Sequence, residues 1–257
     1  MSFATLPSKP QAPLGYRLIT SSQGGKSPLV VFINGLGLPS SSWNATISLF
    51  QESAISFKPQ FLTYDRYGQG ATTSRDPTDE QPGKESGYGH DLSDAVKDLH
   101  ELLEIVAPES SPLVFVAASI GVHLARLYVQ EYPGTVEGLL FLDSNIGNKE
   151  FTDLWPNPHE ADFRQSDVVS DDCTLEQYTD SYTKLGKIFN SDVKSPEGLD
   201  RRNVKRLLPD PSAPKLKGPD GKGPWLIVVG HDPHHFVEES FKMLKIPKSL
   251  SQKYSQP

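Results

Sequence analysis

The sharpest chemical signal in the chain is a serine. Leu113-Val114-Phe115-Val116-Ala117-Ala118-Ser119-Ile120-Gly121 reads as a buried strand that runs into Ser119 and then, with glycine two positions on, into a helix. A tight turn of that kind strains the serine backbone, lifts Oγ clear of the sheet and leaves the Ile120 N–H pointing at the same space. A serine so placed suits attack on an acyl carbon. Ala117 departs from the usual G-x-S-x-G pattern, in which a glycine stands there. The competing reading is a plain helix N-cap, a role serine often fills. A second feature, Asn34-Gly35-Leu36-Gly37, follows the apolar run Leu29 to Ile33, and its glycines bring backbone N–H groups rather than side chains to a ligand. Taken alone, it is also an ordinary glycine turn.

A nucleophilic serine needs a histidine to take its proton and an acid to orient that histidine. The chain has seven histidines. His90 and His100 are expected on a solvated helix face, His159 in a polar stretch, and His123 packed one turn after Ser119. His231, His234 and His235 remain, all just after the apolar run Leu226 to Val229. Two aspartates stand at strand ends: Asp232 after that same run, and Asp143 after Leu139 to Leu142.

The elements that must position these groups alternate. Tyr16 to Thr20 and Leu29 to Ile33 flank Gly24-Gly25 and predict an opening hairpin. Phe57 to Tyr64, Leu113 to Val116, Leu139 to Leu142 and Leu226 to Val229 predict further strands, the second and last of these covered on both faces. Helices are expected over Trp43 to Phe50, Asp91 to Val106 and Ile120 to Glu131. That alternation predicts an α/β fold with a mostly parallel sheet and helices on both faces. Residues 144–223 break the rhythm with a polar, proline-dotted stretch whose one strong element is Thr174 to Phe189, opened by Thr174 and Gln177 in capping-box register. The expected division is a core of residues 1–143 and 224–257, with 144–223 inserted as a helical cap. An insertion between sheet strands emerges at the ligand-binding end, so Trp155, Phe163, Tyr178 and Tyr182 are candidate substrate-lining residues.

Asn34-Gly35-Leu36-Gly37 with Trp43, Asp65-Arg66-Tyr67-Gly68-Gln69-Gly70, Ala117-Ala118-Ser119-Ile120-Gly121 and Leu142-Asp143-Ser144 come in a telling order and spacing. The chain closely resembles the α/β-hydrolase superfamily from roughly Tyr16 to Tyr254. Val228-Val229-Gly230-His231-Asp232-Pro233, with Phe236 to Ser240 and Ile246 to Leu250, is similar to a fungal branch of it. The resemblance implies the α/β-hydrolase fold with Ser119 as nucleophile. The N–H groups of Leu36 and Ile120 would form the oxyanion hole, Asn34 standing where a histidine is typical. It places the acid after the penultimate strand, which makes Asp232 the first choice, and the base after the last strand. No further strand is legible beyond Val229, so the last strand and its histidine are expected to be absent and turnover of activated esters to be slow. A rival alignment makes Leu226 to Val229 the last strand, His231 the base and Asp143 the acid. It leaves a penultimate strand unaccounted for, and ranks second.

The expected activity is hydrolysis of a carboxylic ester, lactone or thioester of a small apolar metabolite, with no metal, nucleotide or other cofactor. One alternative is a catalytically incomplete hydrolase-fold binding protein. Another is an NAD(P)-dependent oxidoreductase, suggested by Gly35-Leu36-Gly37-Leu38-Pro39-Ser40 and Asp65-Arg66. Against it, Ser40 replaces the third glycine and Pro39 removes a donor that a pyrophosphate would use. The net charge of −7 disfavours nucleic acid and anionic membrane surfaces as partners. A single cysteine, Cys173, permits no internal disulfide. With no apolar run of signal-peptide or membrane-spanning length, the chain is expected in the cytoplasm.

Overall fold

A computed structural model of the chain describes residues 1–21, 27–108, 111–144, 147–168, 170 and 173–254. The Gly24-Gly25 turn lies outside the described residues. The elements run β1 (Ser2–Ala4), β2 (Leu14–Ile19), β3 (Leu29–Ile33), α1 (Asn44–Glu52), β4 (Gln60–Tyr64), β5 (His90–Asp91), α2 (Leu92–Val106), β6 (Leu113–Ala118), α3 (Ile120–Glu131), β7 (Val136–Leu142), α4 (Leu175–Phe189), β8 (Leu199–Asp200), α5 (Val204–Leu207), β9 (Trp225–Val229), α6 (Pro233–Leu244) and α7 (Lys248–Tyr254).

Seven strands form one sheet in the order β1-β2-β4-β3-β6-β7-β9. β1 and β2, and β2 and β4, pair antiparallel. Every pairing from β4 onward through β3, β6, β7 and β9 is parallel. The expected opening hairpin does not form, because β4 lies between β2 and β3 and takes β2 as its antiparallel neighbour.

Strand alternation divides the core into two layers. Val31, Ile33, Phe115 and Ala117 meet Leu99, Leu103, Leu124 and Tyr128 of α2 and α3 on one face. Phe32, Phe61 and Val116 meet Trp43 and Ile47 on the other. The methyl of Ala117 is wholly buried in the first layer, so the departure from glycine is accommodated in the strand rather than in the turn. Asp91 caps α2 through the Ser93 and Asp94 amides, and Thr174 caps α4 in a box with Gln177.

β9 differs from the expectation of a strand covered on both faces. It is the edge strand, and Trp225, Leu226, Ile227, Val228 and Val229 are exposed by 86, 54, 62, 68 and 46%. The helices that follow it turn away from the sheet. Ile246 and Leu250 pack with Trp155, Val168, Cys173, Tyr178 and Leu185 in a second core. Leu199, Val204 and Leu208, which lie within residues 144–223, instead join the main core, and β8 pairs parallel with β5. Packing therefore groups the end of the chain with α4, and the return segment of the insertion with the sheet.

Candidate active site

Ser119 sits between β6 and α3 with φ 53° and ψ −125°. A residue with a side chain rarely adopts such angles, and strain of this kind clusters at functional turns. Its N–H donates to the Leu142 carbonyl at 3.1 Å, extending the β6–β7 ladder past the strand, and its carbonyl accepts from Val122 N–H at 3.0 Å. The Ser144 hydroxyl donates to the same carbonyl at 3.0 Å. The side chain of Ser119 is left exposed. Gly121 is dictated by the crossing of α3 and β3: a Cβ there would lie 2.5 Å from the Ile33 carbonyl oxygen and 2.9 Å from that of Asn34. A Cβ on Gly35 would lie 3.5 Å from the Ser119 Cβ, which brings the Asn34 to Gly37 loop against the serine. Leu36 is half-buried in this loop and Ile120 opens α3.

The loop is held by buried polar groups. Asn34 donates to the Tyr64 carbonyl at 3.1 Å and accepts from Trp43 Nε1 at 2.6 Å. Asparagine can do both at once, and it fills the position where a histidine was the expected pattern. Asp65 accepts from the Ser40 N–H at 2.5 Å and from the Ala71 N–H at 2.9 Å, and a Cβ on Gly70 would overlap its carboxylate. The Asp65 to Gly70 motif thus serves as a support for the loop. Its carboxylate is buried and turned to backbone amides rather than to solvent.

At the end of β7, Asp143 has φ 41° and donates its N–H to the Val229 carbonyl at 2.9 Å. Its Oδ1 lies 2.7 Å from His231 Nδ1. The His231 ring stacks on Phe236 with centroids 4.3 Å apart. Its Nε2 is buried and meets no hydrogen-bond partner among the described residues. Ser119, Asp143 and His231 therefore follow the carboxyl ends of three adjacent parallel strands, β6, β7 and β9. The strand that the rival alignment lacked is not needed to bring the pair together, since β7 and β9 are direct neighbours.

Asp232, the first-choice acid, is placed differently. It is the N-cap of α6 and accepts from the His235 N–H at 2.9 Å. That backbone bond holds its carboxyl below the usual carboxylate range. Trp155, Phe163, Tyr178 and Tyr182 also find other work: they belong to the second core, with Trp155 and Tyr178 centroids 5.7 Å apart and Phe163 stacked on Tyr178 at 5.4 Å. The Tyr178 hydroxyl donates to the Pro156 carbonyl at 2.7 Å. These aromatics pack on one another and on Ile246 and Leu250, which is what a helical insertion needs for a core of its own.

Of two histidines expected in solvent, one is buried and the other half-buried. His90 is buried, with Nδ1 2.9 Å from Asp79, beside a cluster in which Lys9 Nζ meets Asp76 at 2.6 Å and Asp98 at 2.6 Å. His100 stacks on Tyr132 at 3.7 Å and bonds the Tyr128 hydroxyl. Arg66 and Glu197 form a buried ion pair at 3.0 Å. Sequence reasoning missed Glu197, and the one signal for it was a charged Arg66 in a loop between glycines. No helix among the described residues is long and apolar enough to cross a membrane, and no group of three or more His, Cys, Asp or Glu among them is placed to hold a metal.

No curated protein matches the chain. Among solved structures, it is similar to a carboxylesterase structure from the thaumarchaeon Nitrososphaera gargenis, with 17% identity, 96% of this chain and 87% of that chain covered, and a TM-score of 0.49. It is similar to MGS-M2, an alpha/beta hydrolase enzyme from a Medee basin deep-sea metagenome library, with 15% identity, 100 and 98% covered, and a TM-score of 0.49. It is also similar to a probable hydrolytic enzyme of Pseudomonas aeruginosa PAO1, with 18% identity, 61% of this chain covered and a TM-score of 0.46; there the match spans 46% of the other chain. The family model for the alpha/beta hydrolases matches residues 30–250. With that match over most of its length, and a parallel sheet turning into a helix at Ser119, the chain belongs to the alpha/beta hydrolase family.

Proposed function

We propose that the protein is a serine hydrolase of a carboxylic ester, lactone or thioester of a small apolar metabolite, with Ser119 as nucleophile, His231 as base and Asp143 as the acid that orients it. The observation that carries this reading is His231, bonded through Nδ1 to Asp143 at 2.7 Å with Nε2 buried and without a partner among the described residues, at the end of β9, with β7 and its Asp143 lying between it and the strand that ends in the strained serine. A histidine whose Nδ1–H is fixed by a carboxylate keeps its proton-accepting nitrogen on the far side of the ring.

In the reaction, Ser119 Oγ adds to the carbonyl carbon as Nε2 of His231 takes its proton. The tetrahedral oxygen is met by the N–H groups of Ile120 and Leu36, each such donor being worth roughly 10²–10³ in rate. Collapse of the adduct breaks the bond to the alcohol or thiol, which leaves with the proton from His231. Water then adds to the acyl group on Ser119 by the same route and the acid departs. The chemistry requires no metal or cofactor.

Labelling by a fluorophosphonate, together with turnover of p-nitrophenyl acetate, tests the reading. Rapid labelling that is lost in Ser119→Ala, and turnover that is lost in His231→Ala, are the expected results. An adduct that persists in Ser119→Ala, or turnover indifferent to His231, would overturn it.

A further inference from the structure

Behind the oxyanion loop lies an assembly that the reaction as described does not use. Arg66, buried to 4% exposure, donates from Nη1 to the Asn34 carbonyl at 2.9 Å and from Nη2 to the Gly35 carbonyl at 3.0 Å. Gln69 adds a bond to the same Gly35 carbonyl at 3.2 Å. The remaining edge of the guanidinium meets the Glu197 carboxylate in a two-point contact, Nε to Oε2 at 3.0 Å and Nη2 to Oε1 at 3.1 Å. Glu197 Oε1 also accepts from the Gly37 N–H at 3.3 Å. The loop is therefore held by two carbonyls on Arg66 and by one amide on Glu197.

This arrangement fixes a direction. In a trans peptide the C=O and the following N–H point opposite ways. With the Gly35 carbonyl drawn into Arg66 and Gln69, the Leu36 N–H faces away from them, and it meets no acceptor among the described residues. Glu197 governs how firmly Arg66 sits. Burial alone would lower the Arg66 pKa, and the Glu197 charge reverses this and holds it above its ordinary value.

Glu197 comes from the inserted segment, 131 residues from Arg66, just before β8. Room for it is built into the loop after β4. Gly68 has φ +77°, and a Cβ there would lie 3.0 Å from the Glu197 Cα and 3.2 Å from its carbonyl oxygen.

We propose that Glu197 is a positioning residue: seated by the return of the insertion to the sheet, it locks Arg66 and through it aims the Leu36 N–H at the developing oxyanion. This rests on the Ser119 reading. A misplacement of about 1 Å in such a donor costs on the order of 10²-fold in rate, while ground-state binding is little changed.

The test is Glu197→Gln, which keeps the volume and removes the charge. Its kcat and KM for p-nitrophenyl acetate are measured beside the inhibition constant of phenylboronic acid, whose tetrahedral adduct on Ser119 occupies the same donors. The expected result is a fall in kcat of about 10- to 100-fold and a matching rise in the boronate constant, with KM within about twofold. Unchanged kcat and boronate affinity, or a rise in KM at constant kcat, would overturn the proposal and leave Glu197 as a structural tie. Where Glu197→Gln does not fold, Glu197→Asp, which keeps the charge and shortens the reach, is expected to give a smaller loss, about 3- to 10-fold, of the same kcat-only kind; full wild-type kcat and boronate affinity, or a change confined to KM, would overturn the proposal there too. Fluorophosphonate labelling of the unaltered protein separates the two ideas. No labelling defeats the Ser119 reading and this proposal together, whereas a labelled protein indifferent to Glu197→Gln defeats this proposal alone.

Discussion

His231 Nδ1 and Asp143 Oδ1 stand 2.7 Å apart although 88 residues separate them in the chain. The contact exists because β7 and β9 are parallel neighbours in register, Leu142 opposite Val229, so that the residues just beyond them emerge side by side. Asp143→Asn should reduce kcat by roughly 10³–10⁴ through loss of the histidine's fixed tautomer. Being largely exposed, it should change stability by less than about 1 kcal/mol. Asp232→Asn should leave kcat within about twofold, because Asp232 caps a helix and asparagine caps equally well. A large loss from Asp232→Asn and none from Asp143→Asn would exchange the two roles.

The backbone of Ser119 yields a second prediction. At φ 53° and ψ −125° a glycine is at ease and a serine is not. Ser119→Gly should raise stability by about 1 kcal/mol while abolishing labelling, and Ser119→Ala should leave stability within about 1 kcal/mol. Denaturant midpoints of the two variants decide it, and a glycine variant less stable than the alanine one would count against strain at the turn.

Gly121→Ala tests the approach of α3 to β3. Its methyl would lie 2.5 Å from a backbone oxygen that has no flexible way to yield. The expected cost is about 3 kcal/mol or more, with loss of labelling as the turn shifts. A folded, fully labelled variant with wild-type stability would show that the helix sits further from the loop.

The cluster around Lys9 predicts a pH dependence. One ammonium serves two buried carboxylates, 2.6 Å from each. Burial pushes Asp98 up to about 6 against the pull of Lys9, while the hydrogen bonds from Lys9 and the Thr78 amide overcome burial at Asp76 and hold it below the ordinary carboxylate range. Between about pH 4 and 6 the folded protein keeps a proton on Asp98 that the unfolded chain has lost, so stability falls as pH rises through that window. Asp98→Asn should remove this slope and gain about 1–3 kcal/mol relative to the wild type at pH 7 and little at pH 4. Lys9→Met should cost about 3–5 kcal/mol at pH 7, because two carboxylates are left without their cation. Urea midpoints at pH 4.5 and 7 measure both, and parallel pH curves for the wild type and Asp98→Asn would refute the assignment.

What could be read without coordinates was local. The serine turn was legible because its strand, Ser119 and Gly121 are consecutive, and α4 because its capping box lies within four residues. The misplaced hairpin, by contrast, depended on β4 inserting between β2 and β3, which no feature of those two strands announces. His90 was assigned to solvent from its place at a helix start, while the groups that bury it, Asp76 and Asp79, come from the preceding loop. Tyr178 and Leu185 of α4 are buried against Ile246 and Leu250, which lie at the far end of the chain. Arg66 and Glu197 are the extreme case: a charge in a glycine loop asks for a counter-charge, and nothing local says where it is.

The exposed strand β9 has a practical consequence. It offers unpaired main-chain donors and acceptors together with five adjoining apolar side chains, uninterrupted by proline or charge. Such an edge is a template for further strand addition. If copies pair edge to edge through β9, new groups come up against Val229, two residues before His231, and specific activity changes with protein concentration. A dilution series reads that change, and a single charged residue on the solvent side of β9 is expected to flatten it without touching the chemistry.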